Sequence, residues 1–137
     1  MKYPHTTKLT VPFGDVDMMG HVNNARYLSY FEIVRSEHLL SLRAADPGKI
    51  GVILAHAEID YKAPSKWRDE LTLKMRTISV GNSSWVYEYE ITNDRTNTIV
   101  ATGKTVQVAY DYTSGHSIPI PVEIKQRLSL EVKQSKE

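Results

Sequence analysis

The stretch FGDVDMMGHVNNARYLSYFE, Phe13 to Glu32, decides how the chain is read. Its first part crowds Asp15, Asp17, Gly20, His21, Asn23 and Asn24 together, and its second part turns abruptly aromatic and helix-like. Tyr27, Leu28, Phe31 and Val34 fall at the i, i+1, i+4, i+7 spacing of one helical face. Tyr30, Ile33, Leu39, Leu40 and Leu42 widen that stripe, so the spacing predicts a helix from Asn24 to about Ser41. A helix apolar on more than one side is expected to be largely covered by other elements.

Outward from the helix, the period changes. Upstream, Lys8 to Phe13 reads as a short strand. Downstream, AADPGKIG (Ala44 to Gly51) is loop chemistry, punctuated by Pro and Gly. Ile53, Ala55, Ala57, Ile59 and Tyr61 then alternate with His56, Glu58, Asp60 and Lys62, a strand with one wet face that Pro64 ends. Leu71, Leu73 and Met75 alternate with polar residues, as do Trp85, Tyr87, Tyr89 and Ile91, with GNSS between them as a turn. After the turn TNDRTNT, Ile99 to Tyr110 forms a fifth strand, in which Gly103 marks a bulge or a close backbone approach. The tail PVEIKQRLSLEVKQ suits an amphipathic helix with Pro121 near its first turn, and residues 131–137 are expected to fray. One helix followed by strands at hairpin spacing predicts an α+β domain, with an antiparallel sheet holding that helix on one face.

Bulk properties narrow the function. At 137 residues the chain is expected to be a single domain, 1–137, with one ordinary core. The absence of cysteine excludes a disulfide scaffold, a zinc–cysteine site and a cysteine nucleophile, and suits a reducing compartment. A formal charge of +1 gives no reason to expect a nucleic-acid surface. Neither a signal-like apolar run near the first residue nor a membrane-length apolar stretch is visible, so a cytoplasmic location without a membrane partner is expected. The spacing of His21 and His56 carries no metal signature.

The stretch FGDVDMMGHVNNARYLSYFEIVR, followed by AEIDYKAPSKWRDELTL, resembles the 4-hydroxybenzoyl-CoA thioesterase family of hot-dog-fold proteins. The likeness runs from the first strand to Tyr110. It implies a curved five-stranded antiparallel sheet wrapped around one long helix. It also implies homodimers that often assemble to a homotetramer, with the active site at the subunit interface. The implied substrate is an acyl-CoA, with coenzyme A as part of the substrate and no further cofactor.

The same resemblance assigns roles. Asp17 matches the family's catalytic carboxylate, acting as a nucleophile or as a base on water. Asp15 stays on the structural side, as a residue bonding the loop backbone. Gly20 permits the bend. Asn23 and Asn24 lie where the helix starts, so one of them caps it. The Asn24 backbone N–H is placed as an oxyanion donor, because the first N–H groups of a helix have no internal partner and sit at its positive end. His21 is either a further donor to the carbonyl or simply solvated. Glu32 is a rival carboxylate, but an ion pair with Arg35 three residues on accounts for it. Lys62, Lys66 and Arg68 either meet the CoA phosphates or decorate a solvated turn, and Trp67 either lines the site mouth or covers a core edge. Tyr27, Tyr30 and Phe31 read as core.

An acyl-CoA thioesterase is the leading functional expectation. An acyl-carrier-protein thioesterase and a non-catalytic acyl-CoA-binding module are the alternatives, and Asp17 is the feature a pure binder would not need.

Overall fold

The computed structural model describes residues 3–137. Strand β1 (His5–Thr10) leads through a 3-10 turn at Phe13–Asp15 to the long helix α1 (Asn24–Ala45). Strands β2 (Gly51–Tyr61), β3 (Glu70–Val80), β4 (Ser84–Asn93) and β5 (Thr98–Asp111) follow, then a two-residue strand β6 (His116–Ser117) and helix α2 (Val122–Ser135). The sheet order is β1-β3-β4-β5-β2, antiparallel throughout, with β6 pairing β5. This is the expected hot-dog arrangement, with one more strand than the five that periodicity reveals. Two residues are too few to show a period.

The helix lies across one sheet face because both surfaces are patterned for it. Tyr27, Tyr30, Phe31, Val34, Arg35, His38 and Leu42 are the buried residues of α1, a stripe at three- and four-residue spacing. Strand β4 alternates strictly, with Trp85, Tyr87, Tyr89 and Ile91 facing inward. Phe31 stacks on Tyr89 at 4.3 Å between ring centroids, a pairing worth about 0.5–1.5 kcal/mol beyond its buried area. Gly103 lies beneath this stack. A Cβ there would stand 2.5 Å from Phe31 Cε2 and 2.5 Å from the carbonyl oxygen of Glu58. Close approach of the helix therefore explains this glycine. The bulge between β4 and β5 falls elsewhere, at Ile91/Thr92.

Several boundaries differ from the periodicity reading, each for a physical reason. Strand β1 begins at His5 and ends before Val11, and Pro12, which has no N–H to donate, sits at the turn that follows. Phe13 is 72% exposed instead of being a strand residue. Helix α1 continues to Ala45, where Asp46 closes it by accepting from the N–H groups of Gly48 and Ile50. The second apolar side of α1 is not covered by the described residues, since Ile33 and Leu40 are 38% and 65% exposed.

Strand β2 was expected to have one wet face. At the sheet edge it is exposed on both faces from Leu54 to Glu58. The tail at 131–137, expected to fray, is helical as far as Ser135. Helix α2 runs to Ser135, whose side chain is buried and donates to Thr77 O, and Glu131 accepts from Thr77 Oγ1 at 3.0 Å. Thr77 pairs with Tyr87 across the ladder, so α2 lies beside α1 on the same sheet face.

Candidate active site

The polar half of the decisive stretch folds as a short, closed loop. Val16 and Val22 form an isolated antiparallel bridge, flanked by bonds from Asn23 N to Asp15 O at 2.9 Å and from Asp17 N to His21 O at 2.8 Å. The tip turns at Gly20, whose φ of +82° favours glycine, and its N–H returns to Asp17 O. Val22 N–H donates to Ser65 O, which ties the loop to the segment after β2.

Asp15 does not bond the loop backbone through its side chain, as the sequence suggested. Its Oδ2 accepts from the Tyr30 hydroxyl at 2.7 Å, and Arg26 Nε lies 3.5 Å from its Oδ1. Burial, and then the bond to Asp15, push the Tyr30 phenol far above its ordinary pKa, so it acts as a fixed donor. Asp15 thus joins the loop to α1 through side chains, a contact across fifteen residues that no local pattern marks.

Asp17 is exposed. Its Oδ1 accepts from Met19 N–H at 2.9 Å and from His21 N–H at 3.4 Å. Among the described residues Oδ2 has no hydrogen-bond partner, so one carboxylate oxygen is held and the other is available. Asn23 is the N-cap of α1, its side chain accepting from Ala25 N–H at 3.0 Å. The capping role therefore belongs to Asn23. Asn24 is the first helical residue, and no loop or cap group takes its N–H.

An open cleft of ≈ 440 Å³ brings Asp17, His21, Asn24 and Lys62 together. Tyr61 and Tyr27 also line it, and the sequence reading missed both as site residues. Tyr61 packs edge-on against Tyr27 and donates its hydroxyl to Asn24 O at 3.0 Å, so it braces the helix start. Its place beside Lys62 in the quoted AEIDYKAP segment was the available signal.

Lys66 and Arg68 are not brought to this cleft within the chain. Lys66 N–H donates to Asp69, and the Arg68 guanidinium lies 4.1 Å above the Trp67 ring, which meets Phe13 edge-on. Trp67 thus belongs to an exposed aromatic cluster outside the cleft. Glu32 is paired as expected, 3.7 Å from Arg35 Nη2.

The loop–helix junction places in one cleft a carboxylate and a helix N–H that no described loop or cap group takes, and acyl transfer needs both kinds of group. Residues 11–128 match the thioesterase-like superfamily. The chain is 25% identical over 126 residues to the 1,4-dihydroxy-2-naphthoyl-CoA hydrolase of Synechococcus elongatus, covering 88% of this chain and 91% of that one. It is 25% identical over 130 residues to the long-chain acyl-CoA thioesterase FadM of Escherichia coli, covering 93% and 98%. The solved structure of a Thermus thermophilus thioesterase, complexed with coenzyme A and Zn, superposes with a TM-score of 0.80 at 31% identity, covering 93% and 98%. The chain belongs to the thioesterase-like superfamily, and with it to the thioester hydrolases.

Proposed function

We propose that this protein hydrolyses an acyl-CoA to a free carboxylic acid and coenzyme A, in the 4-hydroxybenzoyl-CoA thioesterase branch of its superfamily. The observation that carries the reading is the shared cleft of Asp17 and Asn24, with one Asp17 oxygen and the Asn24 N–H both without a partner among the described residues. The thioester carbonyl oxygen meets the Asn24 N–H at the helix start, where the dipole favours the developing negative charge. Asp17 then either attacks the carbonyl carbon, expelling the CoA thiolate and leaving a mixed anhydride for water to open, or removes a proton from the water that attacks. His21 lies beside the same carbonyl as a second donor. Asn23 holds the helix start, and Gly20 lets the loop turn back. Lys62, at the cleft, meets the CoA phosphates, while Lys66 and Arg68 extend that basic surface along the next loop. No cofactor beyond the CoA of the substrate enters this scheme.

Strand β2 supports a second copy as partner. It is an eleven-residue edge strand, exposed along its middle, and it ends at Tyr61 beside the cleft. Long bare edges are templates for pairing. We place a twofold partner there, giving a homodimer that completes the cleft. Ile33 and Leu40, the uncovered side of α1, are the surface for further assembly to a homotetramer. A cysteine-free chain suits the reducing cytoplasm, where we place it.

Thiol release from a panel of aromatic and long-chain acyl-CoAs, with matched carrier-protein thioesters, tests the reading. At least one acyl-CoA should turn over, and Asp17→Asn should lower that rate by about 10²–10⁴-fold. Wild-type turnover by Asp17→Asn would remove Asp17 from the mechanism, and binding without any thiol release would make the protein a sensor. Sedimentation velocity reads the assembly, and a monomer at micromolar concentration would refute the β2 pairing.

A further inference from the structure

Away from the Asp17 cleft, three elements distant in sequence bring His5, His38 and Glu131 together, with one ligand atom from each within 4.8 Å of the others. His5 opens β1, His38 lies in the second half of α1 and Glu131 in α2. The His38 side chain is 1% exposed, and its Nε2 lies 2.9 Å and 3.0 Å from the two Glu131 oxygens. His5 Nε2 is 3.6 Å from Glu131 Oε2. It is also buried without a hydrogen-bond partner, which is rare for a polar atom. The two imidazole rings sit 4.3 Å apart.

We propose that His5 Nε2, His38 Nε2 and the Glu131 carboxylate bind one divalent transition-metal ion of the zinc type. The donor set is apt, since imidazole and carboxylate together suit Zn²⁺. The spacing is also apt. Tetrahedral zinc with bonds near 2.0–2.1 Å keeps neighbouring ligand atoms roughly 3.3 Å apart. At Glu131 Oε2 the separations are 3.0 Å to His38 Nε2 and 3.6 Å to His5 Nε2, which bracket that value, and all three ligand atoms lie within 4.8 Å of one another, so a closing movement of the side chains completes the site.

A ligating histidine needs its other ring nitrogen fixed by an outer partner. Here Nδ1 of His38 meets the Tyr87 hydroxyl. That hydroxyl can accept from Nδ1–H as readily as it can donate, so His38 can present a lone pair on Nε2. A cleft of ≈ 270 Å³ lined by His5 and His38 lies beside the three ligands. The charged groups at its rim are engaged elsewhere: Glu37 accepts from Thr7, and Arg127 donates to Ser41. This cleft shares no lining residue with the Asp17 cleft. The ion is therefore a staple joining β1, α1 and α2, and it stands independently of the catalytic reading.

The test uses full-length protein without a histidine tag, stripped with chelator and titrated with Zn²⁺ against a chromophoric competitor. One equivalent per chain should bind, Co²⁺ should give the strong visible bands of a tetrahedral site, and Zn²⁺ should raise the unfolding midpoint. His5→Ala and Glu131→Gln should each lose the equivalent and the thermal shift. His5 is on the rim of the fold, so its alanine variant keeps the core intact. His56→Ala and His116→Ala, both at exposed sites, should keep the equivalent. Binding below one equivalent, or equal binding by folded His5→Ala, would overturn the site.

Discussion

The Tyr30 hydroxyl donates to Asp15 Oδ2 at 2.7 Å, and with the Arg26–Asp15 ion pair this bond fastens the loop that carries Asp17 to the body of α1. A hydrogen bond to a charged group contributes about 1.5–3 kcal/mol. Tyr30→Phe should lose about that much stability in urea unfolding and should slow thiol release several-fold, because the carboxylate loop is no longer held. Asp15→Asn retains an acceptor and should be milder on both counts. If Tyr30→Phe matches the wild type in both measurements, the bond does not position the loop.

The Asn23 cap fixes where α1 begins and hence where the Asn24 N–H points. Asn23→Ala should cost about 0.5–2 kcal/mol, while Asn23→Ser, which can still cap, should recover most of it. The catalytic readout should follow the same order, with kcat falling more than KM rises. Equal kcat for the two variants would separate the cap from the oxyanion donor.

Gly103 lies under the stacked Phe31 and Tyr89 rings. Gly103→Ala forces a methyl against Phe31 and the Glu58 carbonyl, and overpacking of this kind costs about 1–3 kcal/mol. Adding Phe31→Leu should relieve only part of the strain, because the backbone contact persists. A double-mutant cycle in thermal unfolding reads this coupling, and strict additivity would refute it.

Acid stability should depend on Asp69, which anchors the segment between β2 and β3. Burial alone would raise its pKa. Bonds from Arg95, Lys66 N–H and Asn93 outweigh that effect and hold the carboxyl below its ordinary value. A lowered folded-state pKa means stability that is fully present above the unfolded value and lost as pH falls through the folded one. The loss should therefore start near the unfolded carboxylate value of roughly 3.9 and deepen below it. Arg95→Leu should shift the acid limb of the unfolding curve to higher pH. An unmoved limb would mean that Asn93 and the Lys66 N–H suffice.

Much of this arrangement is legible in the chain itself. The stripe from Tyr27 to Leu42 and the alternation of Trp85 to Ile91 encode the helix and the sheet face it covers, because burial imposes those periods directly. Gly103 marked a bulge or a close approach, and the close approach is what the packing of Phe31 requires. Contacts between distant segments were hidden. Asp15–Tyr30, Tyr61–Asn24 and His38–Glu131 depend on how elements pack, and spacing along the chain carries no trace of that. The same holds for Glu131 and Ser135, in a tail whose charged composition suggested fraying, which both bond to Thr77.

The Val16–Val22 bridge has a consequence for how this protein can vary. Exposed turns generally accept added residues. Here, one residue inserted between Asp17 and His21 would break the rung that sets their mutual register. The carboxylate would then swing out of line with the helix start, although every side chain remained present. What reads as a surface loop works as a ruler, and on the proposed mechanism its length matters as much as the identity of Asp17.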